Sequence, residues 1–280
     1  MVASIGLIAT LLASKPASDL FLAMAGQLRG SSGREFRTTV WITNLSAQQT
    51  SVKATFLERH PLKSPPPSVV IHFVANETKE IPELPLQLQR PGVTGAVRFQ
   101  SDARIAVSAR IFSTPEGTGM YLTAEPREAG LRKGDEAFLQ GVNYDGVIRQ
   151  RTFLVETSGR PAGVMVILRD ALGHEIAHES FAIEGYEQRT IPIAEIARSA
   201  RVHSGSILVR VTGGSGYVYV NGVQIPGANS DGYFVEATVK RSRDHIGMSN
   251  AEIAIYALTA LGVMAAVVFD FYNRKRRPSG

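Results

Sequence analysis

Phe36-Arg37-Thr38-Thr39-Val40-Trp41-Ile42-Thr43-Asn44 decides the fold class of this chain. The stretch is rich in β-branched and aromatic residues and alternates with period two, as a half-buried strand does. Trp41, the only tryptophan, is expected to pack inside the first core. Outward from it the pattern continues in Ser51-Val-Lys-Ala-Thr-Phe-Leu-Glu, in Ala96-Val-Arg-Phe-Gln and in Arg104-Ile-Ala-Val-Ser-Ala-Arg-Ile-Phe. Clusters of Gly, Pro, Asn and Ser separate the runs at about ten-residue spacing, the mark of an antiparallel sandwich. The only helical signal in this region is a short turn near Ile193 to Arg198.

The pattern then repeats at an offset of about 110 residues. Arg37-Thr38 returns as Arg151-Thr152, and Lys79-Glu80-Ile81-Pro82 returns as Arg189-Thr190-Ile191-Pro192. Gly95-Ala96-Val97-Arg98 returns near Ser206-Ile207-Leu208-Val209-Arg210. The expected architecture is all-β: two tandem immunoglobulin-like antiparallel sandwiches, over 19–120 and 134–240, joined by a linker at 121–133. Pro65-Pro66-Pro67 is expected to be a stiff loop in the first sandwich.

Arg37-Thr-Thr-Val-Trp-Ile-Thr-Asn-Leu-Ser, Glu80-Ile-Pro and Arg104-Ile-Ala-Val-Ser-Ala-Arg-Ile-Phe-Ser together resemble a family of bacterial exported proteins built from tandem immunoglobulin-like sandwiches. The resemblance covers most of residues 19–240. The chain departs from that family by carrying Thr39 where Asp is frequent, and by an apolar segment near its C-terminus. The resemblance implies a structural or adhesive module and supplies no catalytic residue. In architecture alone, two sandwiches plus one helix is also similar to an accessory subunit of a photosynthetic reaction-centre–light-harvesting complex, although no pigment-ligand motif accompanies it and architecture does not fix function.

Ile253 to Phe269 is a run of 17 residues without a charge. It covers about 25 Å as a helix, and Phe271 and Tyr272 extend it towards the ~30 Å of a bilayer core. Ser249 and Glu252 fit a capping box. A transmembrane helix is therefore expected over 250–273, after a juxtamembrane linker at 241–249. The basic tail at 274–280, with Arg274, Lys275, Arg276 and Arg277, anchors the C-terminus in the cytoplasm by the positive-inside rule. The bulk of the chain is then expected in the periplasm or outside the cell, on a single-pass inner-membrane protein. Gly262 and Ala266 form a small-residue face that lets another helix approach, and Asp270 sits near the membrane edge where it can meet a partner. Residues 1–18 read as a signal-like apolar segment lacking a charged start, with Ala23-Met24-Ala25 as one cleavage candidate.

Composition narrows the chemistry. The 280 residues contain no cysteine, which excludes disulfides, thiolate metal sites and Cys nucleophiles. The net charge is +5. Much of it sits in the tail, so no broad basic face for nucleic acid is expected. His174-Glu175-Ile176-Ala177-His178 matches H-E-x-x-H, which binds zinc only on a helix. Its flanks read as a hairpin turn and a strand, which would hold the two imidazoles about 13 Å apart. Gly213-Gly214-Ser215-Gly216 lacks the Lys and the helix of a phosphate loop and reads as a hairpin turn. Asn44-Leu45-Ser46 is a sequon. No cofactor is expected. The leading functional expectation is a non-catalytic accessory subunit in the lipid bilayer, docked on integral membrane subunits of a larger complex. The alternatives are a free-standing adhesion or ligand-binding module, an assembly or chaperone factor, and a zinc hydrolase.

Overall fold

Strand-forming residues punctuated by turns yield an all-β structure, seen in a computed structural model that describes residues 18–242 apart from 30–32, 59–64, 115–116, 118, 146, 199 and 228–231. The signal-like segment and the expected transmembrane helix, with Gly262, Ala266, Asp270 and Arg274, Lys275, Arg276 and Arg277, lie outside the described residues. Among the described residues no helix is long and apolar enough to cross a membrane.

The first half contains β1 (Ser18–Gly26), β2 (Leu28–Arg29), β3 (Glu35–Asn44), β4 (Thr50–Leu57), β5 (Ser68–Phe73), β6 (Thr78–Ile81), the one-turn helix α1 (Leu84–Gln87), β7 (Thr94–Ser101), β8 (Ile105–Thr114), β9 (Met120–Thr123) and β10 (Glu125–Pro126). One sheet has the order β10-β1-β7-β4-β5; the other has β2-β3-β8-β9 with β6 also on β3. The pairings are antiparallel. Inward residues such as Leu22, Val40, Ile42, Phe56, Val97 and Phe99 are fully buried between the sheets.

A 3-10 turn at Arg127–Ala129 leads to the second half: β11 (Glu136–Tyr144), β12 (Arg149–Glu156), β13 (Ala162–Arg169), β14 (Glu175–Ile183), β15 (Gln188–Pro192), α2 (Ile193–Ala197), β16 (Val202–Gly214), β17 (Val218–Ile225), β18 (Tyr233–Glu236) and β19 (Thr238–Lys240). Its sheets run β14-β13-β16-β11-β19 and β15-β12-β17-β18. Set beside the first half, β11 stands for β1, β12 for β3, β13 for β4, β16 for β7, β17 for β8, β18 for β9 and β19 for β10. The repeat seen in the sequence is thus a repeat of topology. It reaches single residues: Thr38 and Thr152 are both buried, and Asn76 and Tyr186 adopt the same left-handed backbone, φ 57° and 60°.

Of residues 121–133, expected as the linker, 121–123 belong to β9, Glu125–Pro126 pair with β1, and Leu131 bridges Val218. The described residues up to Lys240 form one compact unit. β1 lies against β12 and β17, β7 against β15, and β9 against β18. Outward residues Phe21 and Ala23 of β1 pack with Leu57, Ala96 and Val155, and with the rings of Tyr186 and Tyr219. Phe153 and Val223 of the second half merge into the first core. The Arg98 guanidinium donates two hydrogen bonds to Asp19, at 2.7 and 2.8 Å, and lies 4.4 Å over the Tyr186 ring. The Phe21 and Tyr186 rings stack at 6.4 Å.

Candidate functional site

Alternation along β3 sends Val40 and Ile42 into the core and Trp41 outward. Trp41 therefore does not fill the first core, contrary to expectation: it is half-buried on the outer face of the sheet β2-β3-β8-β9. The parity of the strand decides this, because the neighbours on either side of it already occupy the interior. Register places Trp41 opposite Ser108 on β8, and Thr39 opposite Arg110, whose neighbour on β9 is Tyr121. The Trp41 and Tyr121 rings stack at 6.5 Å, with Tyr121 64% exposed. Arg110 sits 4.9 Å over Phe112 and 5.8 Å over Tyr121. Arg37, at the end of the same face, is held by Glu35 at 3.1 Å and by Glu83. Tryptophan, tyrosine and arginine are the side chains that dominate binding energy at protein interfaces.

The second half shows what this face does when it is covered. The Arg37-Thr38 and Arg151-Thr152 correspondence puts Val155 at the position of Trp41 and Phe153 at that of Thr39. Both are buried against the first half. Tyr219, opposite Val155, is pushed up to about 12 by burial and by the charge of Glu125. Comparing the two repeats position by position would have marked Trp41 as a face residue. Tyr121 and Arg110 carry no such signal, because their place beside Trp41 depends on pairing across three strands.

The other motifs resolve differently. His174 follows the turn after β13, and Glu175 opens β14, so residues 173–180 form turn and strand as expected. His174 Nδ1 meets Asp170 at 3.2 Å and His178 Nδ1 meets Glu175 at 2.6 Å. Among the described residues no cluster of three or more His, Asp or Glu could hold a metal ion. Gly213 to Gly216 connects β16 to β17, which lie in different sheets, so it is a crossover between sheets and not a hairpin. Gly214 has φ +79°, and a Cβ there would meet the Pro161 carbonyl at 2.3 Å. Gly227 to Gly232 does join a paired hairpin, β17–β18. Asn44 is buried, its amide donating to Gln48 and Val74 carbonyls at 2.7 and 2.9 Å. It therefore offers no accessible sequon. Ala23-Met24-Ala25 lies inside β1 and is buried. A cleft of about 520 Å³ at the β2–β3 end is lined by Gln27, Arg29, Glu35 and Thr114. Its charged side chains are engaged, Arg29 with the Gly33 carbonyl and Glu35 with Arg37.

Glu156, at the end of β12, is a fully buried carboxylate. Oε1 accepts from Ser158 N–H at 2.8 Å, Ser158 Oγ at 2.5 Å and Tyr217 N–H at 2.9 Å. Oε2 accepts from the N–H groups of Gly159, Arg160 and Tyr186 at 2.7, 3.2 and 2.9 Å. With every oxygen committed to backbone and hydroxyl donors, Glu156 ties three loops together and positions Tyr186 at the junction. No family model, curated protein or solved structure matches this chain.

Proposed function

We propose that the chain is a non-catalytic structural subunit that docks its sandwiches on protein partners in a membrane complex. The observation that carries this reading is the Trp41–Tyr121 face: its counterpart in the second half is buried against another sandwich, while this one leaves Tyr121 exposed and stacked on a half-buried Trp41. Each sandwich is read as immunoglobulin-like, with β1, β3, β4, β7, β8 and β9 as strands B to G. The late strand β10 takes the edge position beside β1 that a first strand would hold, and β19 repeats this in the second sandwich. In this reading residues 250–273 cross the inner membrane. Gly262, Ala266 and Asp270 face partner helices, Arg274 to Arg277 stay in the cytoplasm, and the sandwiches lie outside it. A photosynthetic reaction-centre–light-harvesting complex is one assembly that such a subunit would fit.

The test is purification of the tagged native chain in mild detergent, with mass spectrometry of what accompanies it. Stoichiometric recovery of integral membrane subunits, reduced by Trp41→Asp or Tyr121→Asp, is expected. Recovery of the chain alone would overturn the reading.

A further inference from the structure

Three loops meet at one end of the second half: 127–135 ahead of β11, 157–161 between β12 and β13, and 215–217 between β16 and β17. Leu131 bridges Val218, and the Thr157 hydroxyl reaches the carbonyls of Arg127 and Tyr217 at 3.1 and 3.3 Å. Tyr217 lies where the loops join. Its N–H donates to Glu156 at 2.9 Å, and the guanidinium carbons of Arg127 and Arg132 stand 5.4 and 4.7 Å from its ring centroid. Arg160 is exposed in the adjoining turn, with its carbonyl against Gly216.

Elsewhere Arg37, Arg90, Arg98, Arg189 and Arg210 each meet a carboxylate. Among the described residues no ion pair takes in Arg127, Arg132 or Arg160. Arg127 Nε is buried without a hydrogen-bond partner. Stacking on a tyrosine ring orients a guanidinium and leaves its N–H edge free to donate. Two such forks over one ring suit a phosphate, whose oxygens accept bidentate hydrogen bonds. The nearby carboxylates are used otherwise. Glu156 accepts six hydrogen bonds. Asp135 is buried and caps the Arg132 N–H at 2.9 Å. Glu128 and Glu184 are exposed.

The course of the chain selects the source of the phosphate. Lys240 of β19 lies opposite Glu136 of β11, so the described chain leaves the second half four residues from Arg132. Lys133 and Lys240 are exposed there. Residues 241–249 extend at most about 30 Å. A span that begins at 250 therefore keeps these loops near lipid headgroups, where each basic side chain strengthens binding to an anionic surface about fivefold. We infer that Arg127 and Arg132, backed by Tyr217, bind the phosphate of an anionic phospholipid headgroup. This rests on the proposed crossing at 250–273. It gives the second half an attachment to the bilayer besides the span, and it leaves the Trp41 face to a protein partner.

The test places the full chain in nanodiscs of phosphatidylcholine alone or mixed with phosphatidylglycerol. It reads hydroxyl-radical oxidation of Tyr217, normalised to Tyr121 of β9. Phosphatidylglycerol is expected to protect Tyr217, and added salt to reverse the protection. Arg127→Gln with Arg132→Gln, checked for folding by circular dichroism, should bind the anionic surface about 25-fold more weakly and lose the protection. A third sample holds phosphatidylcholine nanodiscs with millimolar inorganic phosphate. Protection there equal to that by phosphatidylglycerol assigns a soluble phosphate ligand and overturns the lipid reading. Tyr217 equally oxidised in all three samples overturns the inference, as does a folded double variant that keeps the protection. The wild-type comparison decides the matter by itself if the double variant does not fold. A chain that stays out of nanodiscs overturns the membrane span and this inference with it. A chain that enters them with Tyr217 unprotected overturns the inference alone.

Discussion

Replacing Glu156 by Gln removes little volume and yet should destabilise the whole described unit. Each carboxylate oxygen accepts three hydrogen bonds. Whichever way the amide turns, its NH2 group faces three donors and can accept from none of them. At about 1–1.5 kcal/mol for each buried bond lost, the cost is about 3–5 kcal/mol. With a urea slope of about 3 kcal/mol/M, that lowers the unfolding midpoint by about 1–2 M. Trp41 gives the assay a built-in reporter, because it is the only tryptophan and sits in the other half. Its fluorescence and the far-ultraviolet circular dichroism should shift together, since Tyr186, held by Glu156, stacks on Phe21 across the junction. A midpoint moved by less than about 0.3 M would refute the hydrogen-bond reasoning. A Trp41 transition left in place while circular dichroism shifts would refute the coupling.

Two further outcomes follow from the junction. Tyr219 is raised from its ordinary value to about 12 by burial and the Glu125 charge. Folding therefore favours its neutral form: this contribution is intact below pH 10 and fades as pH climbs from 10 towards 12. Its ceiling is about 2–3 kcal/mol, and the difference between wild type and Tyr219→Phe in alkaline unfolding curves measures it. Asp19→Ala strands the Arg98 guanidinium, whose side chain is only 16% exposed, and should cost about 2–4 kcal/mol in the same urea assay. The double variant Asp19→Leu with Arg98→Met should recover most of that loss.

The all-β class was readable in the alternation of residues 36–44, and the repeat was readable in Arg37-Thr38 against Arg151-Thr152. Period and offset are local properties, and each strand carries its own. What escaped were the choices made between strands. The tryptophan of this alternating strand is expected inside the core, but strand parity sends it out, because Val40 and Ile42 already fill the interior. The Gly213–Gly216 turn looked like a hairpin because its glycines suit one; that it crosses between sheets is set by which partners β16 and β17 choose. The junction trio of Asp19, Phe21 and Arg98 joins residues 79 apart, and no periodicity marks such a pair. The Trp41–Tyr121 surface was hidden for the same reason. Its meaning came from finding the equivalent face covered in the other half.

The most direct test of the docking account is hydroxyl-radical footprinting of the native detergent-solubilised assembly beside the isolated chain. In the isolated chain Tyr121 and Trp41 should oxidise readily, as should Leu172, which is 81% exposed at the β13–β14 turn. In the assembly Tyr121 and Trp41 should be protected while Leu172 stays reactive. Equal oxidation of Tyr121 and Trp41 in both samples would mean that nothing covers this face, and would contradict the account.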